Sequence, residues 1–262
     1  MKQRTITAII ALIIFIPIII AGGIWIDIAA MVLGIVAMSE LLIMKKKIVV
    51  SFESIISYLG VSVLILPTLW QNILPKGVSP TFLFYIFVMI LLIITVVSKN
   101  LYSFDDAGVT TLGMLYIGMG FHFFIVARSI SLYVLLYALF IVWLTDSGAY
   151  IFGKRFGKHK SSPKISPNKT WEGSIYGTIA ATILCMVWLS FFPITGYSFL
   201  QMLIMTIILS IVGQFGDLVE SAFKRFYGVK DSGKILPGHG GILDRFDSLL
   251  FVLPVLHLLG VI

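Results

Sequence analysis

The chain has 262 residues, 59% of them hydrophobic and only 12% charged, with a mean hydropathy of +1.05. A soluble domain is about 45–50% apolar and about 25% charged, so this chain has too few polar residues to cover itself in water and is expected to lie in a membrane. The net charge is +7, but without a soluble basic domain it gives nucleic acid binding no support, and the single Cys185 excludes an intrachain disulfide and a cysteine zinc site.

Apolar runs cover residues 6–21, 24–44, 55–70, 82–97, 109–127, 132–152, 175–192, 199–221 and 246–262. They exceed strand length, and open strand edges are not tolerated in lipid, so each is predicted as a helix. The first run follows Lys2 and Arg4 in the manner of a signal peptide, but no convincing small-residue cleavage site follows it and the later spans already require membrane insertion. Nine spans would use roughly 180 residues, leaving no large extramembrane domain. The expectation is an all-α polytopic protein of about nine transmembrane helices, a single membrane domain over 1–262.

With the amino terminus in the cytoplasm and the carboxyl terminus outside, every Lys and Arg except Lys76 and Arg128 falls on the cytoplasmic side, as the positive-inside rule requires. Lys45, Lys46 and Lys47 are read as setting topology. Two cytoplasmic loops stand out: 153–172, GKRFGKHKSSPKISPNKTWE, and 222–245, AFKRFYGVKDSGKILPGHGGILDR. Both are basic, rich in Gly or Pro, and joined to spans that end in carboxylates.

A carboxylate at membrane depth is costly unless it is paired or liganded, which makes each one a functional candidate. Asp105 and Asp106 are read as solvated loop residues. Asp27 and Glu40 are read as structural, with Glu40 near enough to Lys45 to pair with that cluster. In the run GQFGDLVESAFKR, Asp217, Glu220, Ser221 and Lys224 share one helical face. Gly213 and Gly216 beside them admit a neighbouring helix or a ligand. Further on, HGGILDRFD sets Asp244 and Asp247 three residues apart at the start of the last span. Two readings stay open. These acids gather around a hard cation such as Mg2+, which takes oxygen ligands and keeps sites for substrate phosphates. Alternatively, Asp217 forms a polar network with Lys224 or Ser221, while Asp244 and Asp247 complement a helix amino terminus and pair with Arg245.

Over 221–247 the chain carries Ser221, Phe223, Lys224, Arg225, Lys230, Asp231, Gly233, Leu236, Pro237, His239, Gly240, Gly241, Ile242, Asp244, Arg245, Phe246 and Asp247. This pattern resembles the signature of the phosphatidate cytidylyltransferases, or CDP-diacylglycerol synthases, at every specified position. The segment SPNKTWEG at 166–173, preceded by 146–150 and by Phe156, Gly157 and Lys158, is similar to the bacterial members. The first 140 or so residues add only their hydropathy.

The resemblance implies transfer of CMP from CTP to phosphatidic acid at the cell membrane, with helices 131–262 catalytic, helices 1–130 variable, and the active site on the cytoplasmic side. It implies Asp217 and Asp244 as Mg2+ ligands, Asp247 as a further ligand, and a second cation for which K+ is a candidate. Lys224, Arg225, Lys230 and Arg245 would hold pyrophosphate or the lipid head group. Gly240 and Gly241 would let backbone amides reach phosphate oxygens. His239 either donates to a phosphate or is a satisfied loop histidine. Asp146, Asn168, Lys169 and Thr170 are the candidates for CTP, while Ser166, Pro167 and Gly173 read as a turn and a helix start. His122 and His257 read as packing histidines. A cavity open to the cytoplasmic leaflet is expected, and the resemblance implies a homodimer. A lipid kinase of the dolichol or phytol type and a transporter using Asp217 and Asp27 are the competing readings.

Overall fold

A computed structural model describes residues 2–262, which are helical almost throughout. The chain divides into two compact units, the first running to Ile125 and including Asp231–Leu243, the second comprising Val126–Lys230 and Asp244–Ile262.

The first unit contains α1 (Lys2–Ala21), α2 (Ile24–Met44), α3 (Phe52–Ile65), α4 (Pro67–Ile73), α5 (Pro80–Val97) and most of α6 (Phe104–Ile130). Gly22 and Gly23, both at positive φ, separate α1 from α2. Ser51 and Ser79 cap α3 and α5 by accepting the backbone N–H groups of Ser54 and Phe82. The run expected as one helix over 55–70 is broken: α3 and α4 meet at 103° across Leu66 and Pro67. Proline lacks the N–H that would continue the ladder, and its ring disfavours a helical residue before it. The core of this unit joins α2, α3 and α6, with Gly34 against Ile65, Gly60 against Met114 and Gly113 against Leu41.

Two expectations for this unit are corrected. Asp106 is not solvated; its carboxylate is 2.7 Å from both Lys45 and Lys47 and accepts from Ser103 N at 2.9 Å. Lys45 and Lys47 therefore tie the end of α2 to the start of α6. Glu40 does not join that cluster through Lys45, because its carboxylate is fully buried against Ser232, Ile242 and Leu243. Of the helical histidines and aromatics, His122 faces the carbonyl of Ile65 and Phe121 and Phe124 are fully buried, in keeping with packing roles.

The second unit contains α7 (Leu132–Phe156), strands β1 (Lys160–Ser162) and β2 (Ser166–Thr170), α8 (Trp171–Phe191), α9 (Phe199–Phe226) and α10 (Leu243–Leu258) apart from its first residue. Ser131, Thr170 and Ser198 cap α7, α8 and α9, and Ser198 forms a reciprocal capping box with Gln201. Glycines bring α7 and α8 together: a Cβ on Gly177 would lie 2.7 Å from Ala149 N and one on Gly173 2.7 Å from Ala149 O. A polar ladder runs through the same interior, from Tyr137 with Thr206 (2.8 Å) to Thr145 with Ser210 (2.7 Å), then Ser210 with Thr178 (3.0 Å) and Gln214 with Thr178 (2.8 Å).

Among the described residues, six helices are long and apolar enough to cross a membrane, or seven if the bent α3–α4 pair is one span. Their outward faces expose large apolar side chains such as Trp25, Ile93, Val187 and Leu200, as surfaces meeting lipid do. The fold is that of an all-α polytopic membrane protein, with one short antiparallel hairpin where the sequence reading expected only a loop and a turn.

Candidate active site

In the second unit the hairpin is the first positioning device. Lys160 pairs with Thr170 and Ser162 with Ser166, and Trp171 N donates to His159 O at 2.9 Å. Glu172, in the first turn of α8, accepts from the backbone N–H groups of Lys158 and His159, both at 3.1 Å, and lies 2.5 Å from His159 Nδ1. Thr170 Oγ1 accepts from Gly173 N at 3.1 Å and is buried, so Thr170 builds the corner while Asn168 stays exposed.

The corner aims Lys169 at α9, with Lys169 Nζ 2.6 Å from Asp217 Oδ2. Ser221 Oγ donates to the other oxygen of Asp217 at 3.2 Å. The two side chains of the pair are 26% and 29% exposed, so a ligand can reach them. The polar-network reading paired Asp217 with Lys224 or Ser221; the serine contact is present, but the cation is Lys169.

Lys224, two turns along α9, serves other acids. It contacts Glu220, which is fully buried, and lies 2.6 Å from Asp244 Oδ1 in the first turn of α10. Asp244 is itself only 5% exposed. The close approach that Gly216 permits is by α10, since a Cβ there would lie 2.8 Å from Asp247 O and 2.9 Å from Ser248 Cα. Asp247 Oδ1 accepts from Ser248 N at 2.7 Å.

The charges of Asp146 on α7, Asp217 on α9 and Asp247 on α10 act on one another, with Lys169, Arg245 and Lys224 acting as their counter-charges. Arg225 faces elsewhere: its Nε donates to Ile165 O at 3.1 Å and its guanidinium to Val229 O at 3.3 Å, fastening the end of α9 to the hairpin turn. Lys230 is exposed. His239, Gly240 and Gly241 belong to the first unit, in a turn where Leu236 N donates to Gly240 O and His239 N to Leu236 O. Gly240 has a φ of +89°, a conformation that favours glycine.

Beside the acids is a cavity of about 550 Å³ between α8 and α9. Lys169 and Ser162 line it at the hairpin, and Ile175, Ile179, Ile183 and Ile211 line its helical walls. From Trp171 to Ile183 the α8 wall runs on the order of 18 Å at the helical rise, so the cavity is polar at one end and apolar along its length.

The donor chemistry suits Mg2+. Among the described residues no three His, Cys, Asp or Glu side chains converge tightly enough to enclose an ion as they stand, because Asp217 is engaged by Lys169 and Asp244 by Lys224. Mg2+ does not need such a cage; it uses one or two carboxylates and fills its remaining sites with water and substrate phosphate. Three mutually repelling carboxylates with a solvent-reachable member meet that requirement.

The sequence profile of the cytidylyltransferase family matches residues 2–262. The chain belongs to that family. It is 50% identical to the phosphatidate cytidylyltransferase of Staphylococcus haemolyticus, with 99% of this chain and 98% of the relative covered. It is 49% identical, over the same shares, to the proteins of that name from Staphylococcus saprophyticus and Staphylococcus aureus. Two buried acids of this cytidylyltransferase-family chain, Glu220 beside Lys224 in the second unit and Glu40 in the first, lie outside the set of residues that the sequence assigned to the site. Glu220 was visible as a member of the Asp217 face; Glu40 had no local signal, since its partners are some 190 or more positions away in sequence.

Proposed function

We propose that the chain transfers CMP from CTP to phosphatidate, forming CDP-diacylglycerol and pyrophosphate. The observation that carries this reading is the near-complete match, at about half identity, to relatives named phosphatidate cytidylyltransferase.

A phosphate oxygen of the lipid attacks the α-phosphorus of CTP, a new P–O bond forms, and the bond to the β-phosphate breaks with its electrons leaving on pyrophosphate. The lipid phosphate is already ionised near neutral pH, so no strong general base is needed. The obstacle is repulsion between two polyanions, and catalysis is chiefly positioning and charge neutralisation. Lys169, Lys224 and Arg245, each interacting with a carboxylate in this region, exchange part of that partnership for substrate phosphates. Asp217, Asp244 and Asp247 would hold Mg2+, which when bound would supply charge stabilisation at the transferring phosphoryl group, with K+ as the candidate second cation. Asp146 and Asn168 are assigned to the nucleotide and Lys230 to phosphate; for His239, Gly240 and Gly241 the phosphate role rests on the signature resemblance alone. The apolar cavity takes an acyl chain, with Lys169 at its head-group end; the isoleucine walls support that assignment.

In this reading the whole chain acts as a single domain of the cell membrane. It has nine spans, the amino terminus and the site on the cytoplasmic side, and the carboxyl terminus outside; it works as a homodimer. The skewed Lys and Arg distribution supports the orientation.

The test uses detergent-purified protein, phosphatidic acid, Mg2+ and CTP labelled at either the α- or the γ-phosphorus. Entry of the α label alone into extractable lipid, dependent on metal, is expected. Entry of the γ label would make the protein a lipid kinase. Incorporation of neither label would remove the enzymatic reading and return the transporter.

A further inference from the structure

Glu40 is a fully buried acid in α2, within the half of the chain that the signature leaves unmarked. Its Oε1 accepts from Ile242 N at 2.8 Å, and its Oε2 accepts from Leu243 N at 2.9 Å and from Ser232 Oγ at 3.0 Å. Leu243 is the first residue of α10, so the carboxylate satisfies backbone donors that a helix start leaves without an intrahelical partner. An anion there also complements the positive end of the helix.

The glycines of the signature segment are shaped around this acid. A Cβ on Gly233 would lie 2.5 Å from Glu40 Oε1 and 2.8 Å from its Cδ, and one on Gly241 would strike both carboxylate oxygens. Gly233 and Gly241 thus allow the backbone to close over a buried carboxylate. The chain then passes directly from Leu243 into Asp244, Arg245 and Asp247.

We propose that Glu40 is a positioning residue for cytidylyl transfer: by holding the Ile242 and Leu243 amides it fixes the first turn of α10, the turn that carries Asp244. A carboxylate is required because one group must accept from two adjacent amides and a hydroxyl at once. Glutamine keeps the shape but replaces one acceptor by a donor facing an N–H. This inference rests on the assignment of Asp244 to the reaction.

The test compares Glu40→Gln, Gly233→Ala and Asp244→Asn with the unaltered full chain. Measurements are the thermal midpoint, kcat and KM for CTP and phosphatidate, and hydrogen exchange of the peptide containing Ile242 and Leu243. For Glu40→Gln the expected result is a folded protein whose kcat falls about 10- to 100-fold, as for a displaced reacting group, with both KM values little changed. The Ile242 and Leu243 amides should exchange about tenfold faster or more, reflecting a lost charge-assisted bond. Gly233→Ala, which displaces the carboxylate without removing it, should reproduce both effects and carries the test if Glu40→Gln fails to fold. Unchanged kcat in folded Glu40→Gln overturns the inference, as does failure of both variants to fold, which would make Glu40 a stability residue only. Retained turnover in Asp244→Asn would instead overturn the site assignment; the exchange result for Glu40 reports separately.

Discussion

Lys224 Nζ lies 2.6 Å from Asp244 Oδ1, joining the last turns of α9 to the first turn of α10. The same ammonium contacts Glu220, whose side chain is fully buried. Two acids therefore share this cation.

Lys224→Ala should consequently be destabilising. It leaves two buried carboxylates with their shared lysine removed, and breaking a buried pair by deleting one partner costs about 3–5 kcal/mol. A marked fall in the thermal midpoint of purified protein is expected. Combining Lys224→Met with both Glu220→Gln and Asp244→Asn should recover most of that stability without restoring turnover, since no buried carboxylate is then left without its lysine but the cation for substrate does not return.

Asp217→Asn should spare the fold and remove activity. Asp217 is partly exposed and its pairing with Lys169 is only moderately buried, so the structural cost is small, whereas losing one electrostatic contributor to the transition state costs about 10²–10³ in rate. Turnover against Mg2+ concentration checks this. Full activity in both Asp217→Asn and Asp244→Asn would remove the metal assignment.

The α7–α8 contact should tolerate no side chain. Gly177→Ala would put a methyl group 2.7 Å from Ala149 N and 2.9 Å from Thr145 O, which forces the helices apart at about 1–3 kcal/mol. The same change at Gly108, where nothing lies within 4 Å, should be neutral or stabilising by up to about 1 kcal/mol through helix propensity. Thermal midpoints of the two variants, measured side by side, separate these outcomes.

Filling the cavity should act on one substrate only. Ile179→Trp or Ile183→Trp adds an indole to the α8 wall. KM for long-chain phosphatidate is expected to rise several-fold, with KM for CTP unchanged and a short-chain phosphatidate less affected. An equal change for both lipids would place the acyl chain elsewhere.

The helices and the Asp217 face were legible because each is written locally, in hydropathy or in three- and four-residue spacing. Gly213 and Gly216 were legible as a site of close approach, and α10 is what approaches. What escaped was decided at a distance. Asp106 read as a loop acid because its lysines are some 60 positions away in sequence, and Glu40 read as a neighbour of Lys45 because its amide partners come from the far end of the chain. Pro67 was visible in the run 55–70, but hydropathy averages over a single missing N–H. The hairpin at Lys160–Ser162 and Ser166–Thr170 has too few apolar residues to give an alternating signal.

The hydroxyl and amide contacts linking Tyr137, Thr145, Thr178, Thr206, Ser210 and Gln214 have an effect that oily side chains do not provide. Apolar contacts carry no directional bond, whereas a buried hydroxyl or amide must keep its partner, so the polar contacts add a register requirement to that of shape. Moving α9 by one turn, about 5.4 Å, would strand several of these polar groups in a dry interior, at about 1–3 kcal/mol each. The ladder is a vernier. Thr145 is next to Asp146, and Ser210 is two turns from Asp217, so the notch that locks the helices also sets the height of Asp146 on α7 against Asp217 on α9.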